Sequence, residues 1–279
     1  MWTPLPESAE TNALSAVARR ASGPSLDPTF RVTVNFHPDR KVGDLSLLQV
    51  LATDGVLRSQ FETRTSNGGL TAFEGGARWQ WESRIFSGAY DIELPSRRPK
   101  YGALNHRRRS VGGSPRFGSS HFRLASHVLQ RTTFCYPDSF FEPMLFGNAS
   151  SMGLIDECES DDCDELDRYI EAHVHGPVHL SQDVEALVLD KCYHGTQVAV
   201  DAMKLPVRVE WHSGFRVSVD TIRQFPDYRG QTIVNLADTL AIDGWITPGI
   251  LGMAASSGKY SYDNLKKVWH YVARFAIIE

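Results

Sequence analysis

The chain has 279 residues, with 29 Lys and Arg against 33 Asp and Glu, and a formal net charge of −4. Its 42% hydrophobic and 22% charged residues exclude a wholly disordered chain and a fibrous repeat. No window approaches the ~18 apolar residues of a membrane-spanning helix, and four cysteines are too few for a disulfide framework. A reducing compartment is therefore expected. The opening MWTPLPESAE lacks the basic and apolar regions of a Sec signal. The expected location is cytoplasmic, or export as an effector without a cleavable Sec signal.

Residues 1–28 are rich in Ser, Ala and Pro and read as a tail or a loosely docked helix. In TFRVTVNFH (29–37), Val32, Val34 and Phe36 alternate with polar residues, the period of a half-buried strand. LSLLQVLATDG (45–55) has helical spacing and a stop at Gly55. The run 56–70 reads as a strand entering a turn at Ser66-Asn67-Gly68-Gly69. Trp79, Trp81, Phe86 and Tyr90 mark a helix and loop under the core. PKYGALN (99–105) and PRFGSSHFRL (115–124) read as two antiparallel strands with a long connection, and 166–176, 184–190 and 206–212 as three more strands. From Ser218 the apolar spacing turns helical, near 232–240, 247–256 and 262–276. The reading is α+β: a tail over 1–28, a core over 29–217 and a helical C-terminal layer over 218–279.

Charge is unevenly spread. Between Glu93 and Asp138 there is no acid, but there are eight arginines and Lys100; the run 156–167 then holds eight acids in twelve positions. The basic block suits phosphate, in a nucleotide, a nucleic acid or a lipid surface, or else the two runs face each other as loops of opposite sign.

Three constellations carry chemistry. Glu171, His173 and His175 alternate on one strand and so share a face, where carboxylate and imidazole suit a divalent metal in a hydrolase or nuclease. A serine-hydrolase triad lacks its G-x-S-x-G elbow. The third is a lone catalytic Glu171 on a strand that follows a first strand with His37 and Arg40, an Asn/Gly turn and a Gly-Ser-Ser strand. A non-catalytic module whose basic block docks an acidic partner is a further alternative.

At Glu171 the order of elements resembles the ADP-ribosyltransferase superfamily. The phrases VTVNFHPDR, LRSQFET, SNGGLTAF, RPKYGALN, PRFGSSHFRL, EAHVHGPVHL, VEWHSGFRVS and LKKVWHYVARF are similar to a bacterial domain family of unknown function, associated here with arginine-directed, effector-type mono-ADP-ribosyltransferases. The resemblance implies a split antiparallel sheet that binds NAD as co-substrate with no metal, and a protein acceptor. Arginine is favoured, on a metabolic enzyme such as a glutamate dehydrogenase; nucleic acid is a weaker alternative and no membrane is involved. It implies Glu171 as the catalytic carboxylate and Ser119 or Ser120 as the serine that orients it. For NAD it implies His37, Arg40, Arg58, Gln60, Ser66, Asn67, Gly68, Tyr101 and Gly102, with the arginines on the pyrophosphate and Tyr101 against nicotinamide. Tyr169 stands where the family often has Glu or Gln, and Glu185 and Glu210 are rival glutamates on neighbouring strands.

Overall fold

The computed structural model describes residues 8–64 and 70–276. Eight strands carry the architecture: β1 (Val32–Phe36), β2 (Lys100–Leu104), β3 (Ser120–Leu124), β4 (Thr132–Tyr136), β5 (Leu145–Asn148), β6 (Glu171–Val174), β7 (Val184–Asp190) and β8 (Arg208–His212). They form one mixed sheet in the order β8-β7-β3-β1-β2-β6-β4-β5. Only β7 and β8 run parallel; every other neighbouring pair is antiparallel.

The segments 99–105 and 115–124 are strands, yet they do not pair with each other. Both flank β1, which therefore separates them. The join between β1 and β2 is short, with only Val32↔Leu104 and Thr33↔Ala103 in register. Beyond those two pairs the strands have no further partners in each other, so the sheet is nearly divided there. Gly102 sits at the base of this fork, where a Cβ would lie 2.6 Å from the Thr33 carbonyl oxygen.

Strand alternation sorts the side chains into two faces. On one, Val32, Phe36, Phe122, Phe134, Ala172, Val174, Leu187 and Leu189 form the main core. Phe36 stacks on Phe122 at 4.9 Å. Helix α2 (Leu47–Asp54) closes this face with Leu48 and Leu51; a Ser46/Gln49 capping box begins it and left-handed Gly55 ends it. The other face carries a polar row: Thr33, Asn35, Tyr101, Thr133, Glu171 and His173. It is covered on one side by α1 (Ala9–Ala18) and α3 (Ala77–Ile85), through Ala13, Val17, Trp81, Phe86 and Tyr90. The segment read as a tail or a loosely docked helix holds a helix, α1, whose small residues, spaced three and four apart, seat it against the sheet.

The run 56–63 is not a strand. Ser59 and Glu62 form a capping box and start a short helix at Gln60–Thr63. Strands β4 and β5 escaped the sequence reading; β4 is buried along its whole length and so lacks alternation. After β8 the chain turns helical as its spacing suggests, with α4 (Val219–Arg223), α5 (Gln231–Leu240), α6 (Pro248–Ser256) and α7 (Tyr262–Phe275) around their own apolar cluster. Trp269 of α7 ties this layer to the sheet: its indole N–H donates to the Pro115 carbonyl at 3.0 Å, and its ring meets His37 edge-on at 4.8 Å.

Two outcomes follow from this packing. A Cβ at Gly118 would lie 2.0 Å from the Phe36 carbonyl carbon. Gly118→Ala is expected to cost about 3 kcal/mol, read as a lower urea midpoint. Burial pushes His121 and His270 down to about 3 from 6.5, with positive neighbours adding to it. The folded protein then binds fewer protons than the unfolded chain between those values. Stability is therefore expected to fall as pH drops from about 6.5 towards about 3, and His121→Phe to flatten that slope, in denaturation midpoints taken across the range.

Candidate active site in the fork of the sheet

The fork opens into a cavity of about 260 Å³ lined from both parting strands, by Asn35 and Phe36 of β1 and Lys100, Tyr101 and Gly102 of β2. Glu171 reaches it from β6, Arg78 from α3, and Arg58 and Gln60 from the short capped helix and its approach. Five residues proposed from the sequence therefore meet at one place: Glu171, Tyr101, Gly102, Arg58 and Gln60. His37 and Arg40 line a neighbouring cavity of about 750 Å³ between the end of β1 and helices α6 and α7. Phe117 borders both cavities. Ser66, Asn67 and Gly68 lie outside the described residues.

Glu171 is only 6% exposed. Burial alone would raise its pKa, but the His173 hydrogen bond and the Arg78 charge outweigh it and hold the carboxyl below its ordinary value. His173 Nε2 lies 3.0 Å and Arg78 Nη1 3.8 Å from Glu171 Oε1. Arg78 is 2% exposed and held from three sides. Its guanidinium lies 4.2 Å over the Tyr101 ring and donates to Ser139 Oγ. Burial works against its charge, yet Tyr101, Glu171 and Glu82 keep it fully protonated. Glu82 in turn accepts from the Tyr101 hydroxyl at 2.8 Å and from Arg98 at 2.6 Å.

The expected role of the serines is corrected, and the other expected residues have partners of their own. Ser119 and Ser120 do not orient Glu171: they sit at the entry to β3, and both β1 and β2 lie between β3 and β6. The Ser119 hydroxyl meets Tyr193 at 3.4 Å, and Ser120 Oγ accepts from the Asp190 amide at 3.1 Å. The serine beside Glu171 is Ser139, at the loop after β4. One face of Tyr101 is already covered by Arg78, so that ring braces the guanidinium. Arg58 pairs with Asp54 at 2.6 Å. Arg40 lies over the Tyr262 ring at 4.9 Å. Burial, then Arg40 and His270, push His37 down to about 3, which leaves it neutral at pH 7.

The residues of the rival readings have partners of their own. His175 is not beside Glu171 and His173 as a third ligand; its two ring nitrogens bond Tyr90 and Thr133. The metal-capable group among the described residues is Cys135, Glu171 and His173. Both nitrogens of His173 are engaged there, and the Arg78 cation stands beside the carboxylate. Glu185 and Glu210 are tied to Arg123, Glu210 through a two-pronged pair at 2.8 and 2.9 Å. The basic and acidic runs face each other: Arg107 bonds Glu159 at 2.6 Å and Glu165 at 3.0 Å, His106 bonds Glu159 at 2.7 Å, and Arg116 pairs with Asp167.

Arg78 was missed by sequence reasoning. Its signal was an Arg78/Glu82 pair at i,i+4 inside an aromatic stretch, where a buried ion pair is as consistent as a solvated one. Arg78→Leu is expected to cost about 3–5 kcal/mol by leaving a buried carboxylate uncompensated. It is also expected to raise the Glu171 pKa, and adding Glu171→Gln is expected to restore part of the loss, in urea unfolding at pH 7.

A family model described as a protein of unknown function (DUF3626) matches residues 31–158 and 144–275. No curated protein matches the chain. The two matches together take in the sheet, the fork and the helical layer, and the chain belongs to this family of unknown function.

Proposed function

We propose that the chain is a mono-ADP-ribosyltransferase, which cleaves the nicotinamide–ribose bond of NAD and transfers ADP-ribose to a protein side chain, arginine favoured. One observation carries the reading: an ionised, buried carboxylate faces a cavity in the fork of a nearly divided sheet, next to a larger cationic cavity. The larger cavity is lined by Arg40, Lys41, Lys266 and the Asp167-paired Arg116, with Asp39 the carboxylate among its lining residues. Such a lining suits the two negative charges of a pyrophosphate. The near division of the sheet supports the split-sheet expectation.

When the C–N bond breaks, its electron pair leaves with nicotinamide, and positive charge spreads over the ribose ring. A carboxylate beside that ring stabilises the charge. Glu171 meets the requirement because His173 and Arg78 keep it ionised without bulk water. Preorganisation matters here: the carboxylate is already fixed, so little reorganisation accompanies charge development. The acceptor nitrogen then attacks the ribose carbon and gives up a proton.

The metal-dependent reading asks for His175 beside Glu171 and His173, whereas its ring nitrogens bond Tyr90 and Thr133; the basic-module reading asks for arginines already paired with acids, Arg107, Arg109 and Arg116 among them with the acidic run. The test is nicotinamide release from NAD by the purified chain. Release is expected to survive EDTA and to fall about 10²–10³-fold in Glu171→Gln. Absence of both release and calorimetric NAD binding would sink the reading.

A further inference from the structure

Glu171 is the end of a hydrogen-bonded chain whose members beyond His173 the reaction above leaves unused. Its Oε1 lies 3.0 Å from His173 Nε2. The other nitrogen of that ring, Nδ1, lies 3.1 Å from Thr133 Oγ1. The same hydroxyl lies 2.9 Å from His175 Nε2, and His175 Nδ1 lies 2.8 Å from the Tyr90 hydroxyl. Tyr90, Thr133, His173 and His175 all have 0% exposure.

Counting hydrogens sets the direction. A carboxylate only accepts, so His173 Nε2 carries the hydrogen. Burial outweighs the Glu171 bond and keeps His173 below its ordinary pKa, hence neutral with a bare Nδ1. Thr133 must then donate to it. A hydroxyl has one hydrogen, so towards His175 the same oxygen accepts, and His175 carries its hydrogen on Nε2. Its Nδ1 accepts from Tyr90. Were His173 an imidazolium, every bond beyond it would reverse, and His175 would carry its hydrogen on Nδ1. The direction is therefore a single two-state property of the whole chain.

The rings are also clamped. Trp81, Phe86 and Tyr101 lie 5.1, 5.7 and 5.3 Å from the His173 ring, and Phe86 and Tyr90 lie 5.1 and 5.9 Å from that of His175. Aromatic rings therefore pack against both imidazoles. The Cys135 thiol touches Glu171 and His173 at 3.9 and 3.7 Å, and burial keeps it protonated, so it leaves the carboxylate an acceptor.

We propose that Tyr90, His175, Thr133 and His173 form a one-way hydrogen-bond relay that orients the Glu171 carboxylate, with Thr133 as the joint between its two imidazoles. These are positioning residues. Their service to catalysis rests on the reading of Glu171 above; the direction of the relay does not.

The test is a long-range ¹H–¹⁵N correlation spectrum of the ¹⁵N-labelled chain at pH 7, with His173 and His175 assigned from single His→Gln variants. Both rings are expected neutral with hydrogen on Nε2. A hydrogen on His175 Nδ1, or a doubly protonated His173, overturns the proposal on the unaltered protein alone. Thr133→Val is expected to release His175 from its single tautomer, and Thr133→Ser to restore it. Nicotinamide release is expected to fall about ten- to hundredfold in Thr133→Val, the size seen when a group that orients a functional residue is lost, and to return in Thr133→Ser. Wild-type rates in a folded Thr133→Val chain overturn the positioning role. If the unaltered chain cleaves no NAD while both tautomers are as expected, the NAD reading fails and the relay's direction stands.

Discussion

The structure depends on keeping one carboxylate ionised inside a sheet. An isolated buried carboxylate is costly, and in most settings it takes up a proton instead. Glu171 avoids that through His173 and Arg78, but Arg78 is itself buried and needs anions of its own. Glu82 supplies one, and is held in turn by Arg98 and the Tyr101 hydroxyl. Each compensation brings another polar group inward. The polar face around β6 follows from these requirements, and the small apolar side chains of α1 and the aromatic ones of α3 and the loop after it pack over it.

The fork has a separate origin. β1 pairs with β3 over four residues but with β2 over only two, so the sheet stays joined at its base and opens above it. Gly102 lets the two backbones approach where they join, and Gly118 lets the chain pass against Phe36 at the open end. The helical layer then closes the second cavity from outside. Trp269 seats on the Pro115–Arg116 carbonyls and on His37, so the cationic compartment exists only when α7 is docked.

Particular residues show what a linear reading can find. β1 and the C-terminal helices were legible because their apolar period matches their geometry on a half-buried surface. β4 was not, since full burial erases the alternation. The stretch 56–63 misled because its apolar residues suggest a strand while Ser59 and Glu62 cap a helix. In the site, Glu171, Tyr101, Gly102, Arg58 and Gln60 were named before the fold placed them on one cavity. Ser119 and Ser120 are expected beside Glu171, where Ser139 stands instead, because adjacency in the order of motifs does not reveal which strands lie between.

What this chain's sequence determined by itself is local: where helices begin and stop, which strands alternate, and which acidic and basic runs exist. Those properties follow from caps, periodicity and composition, which act over a few residues. Only the tertiary structure decided which charges meet. It set Arg107, Arg109 and Arg116 of the basic block against the acidic run. It brought Arg78 and Ser139 to Glu171, and joined Tyr90, Thr133 and two histidines into one chain. The reason is strand order: β6 lies between β2 and β4, so side chains some 40 to 90 positions apart in sequence become neighbours across 3–4 Å.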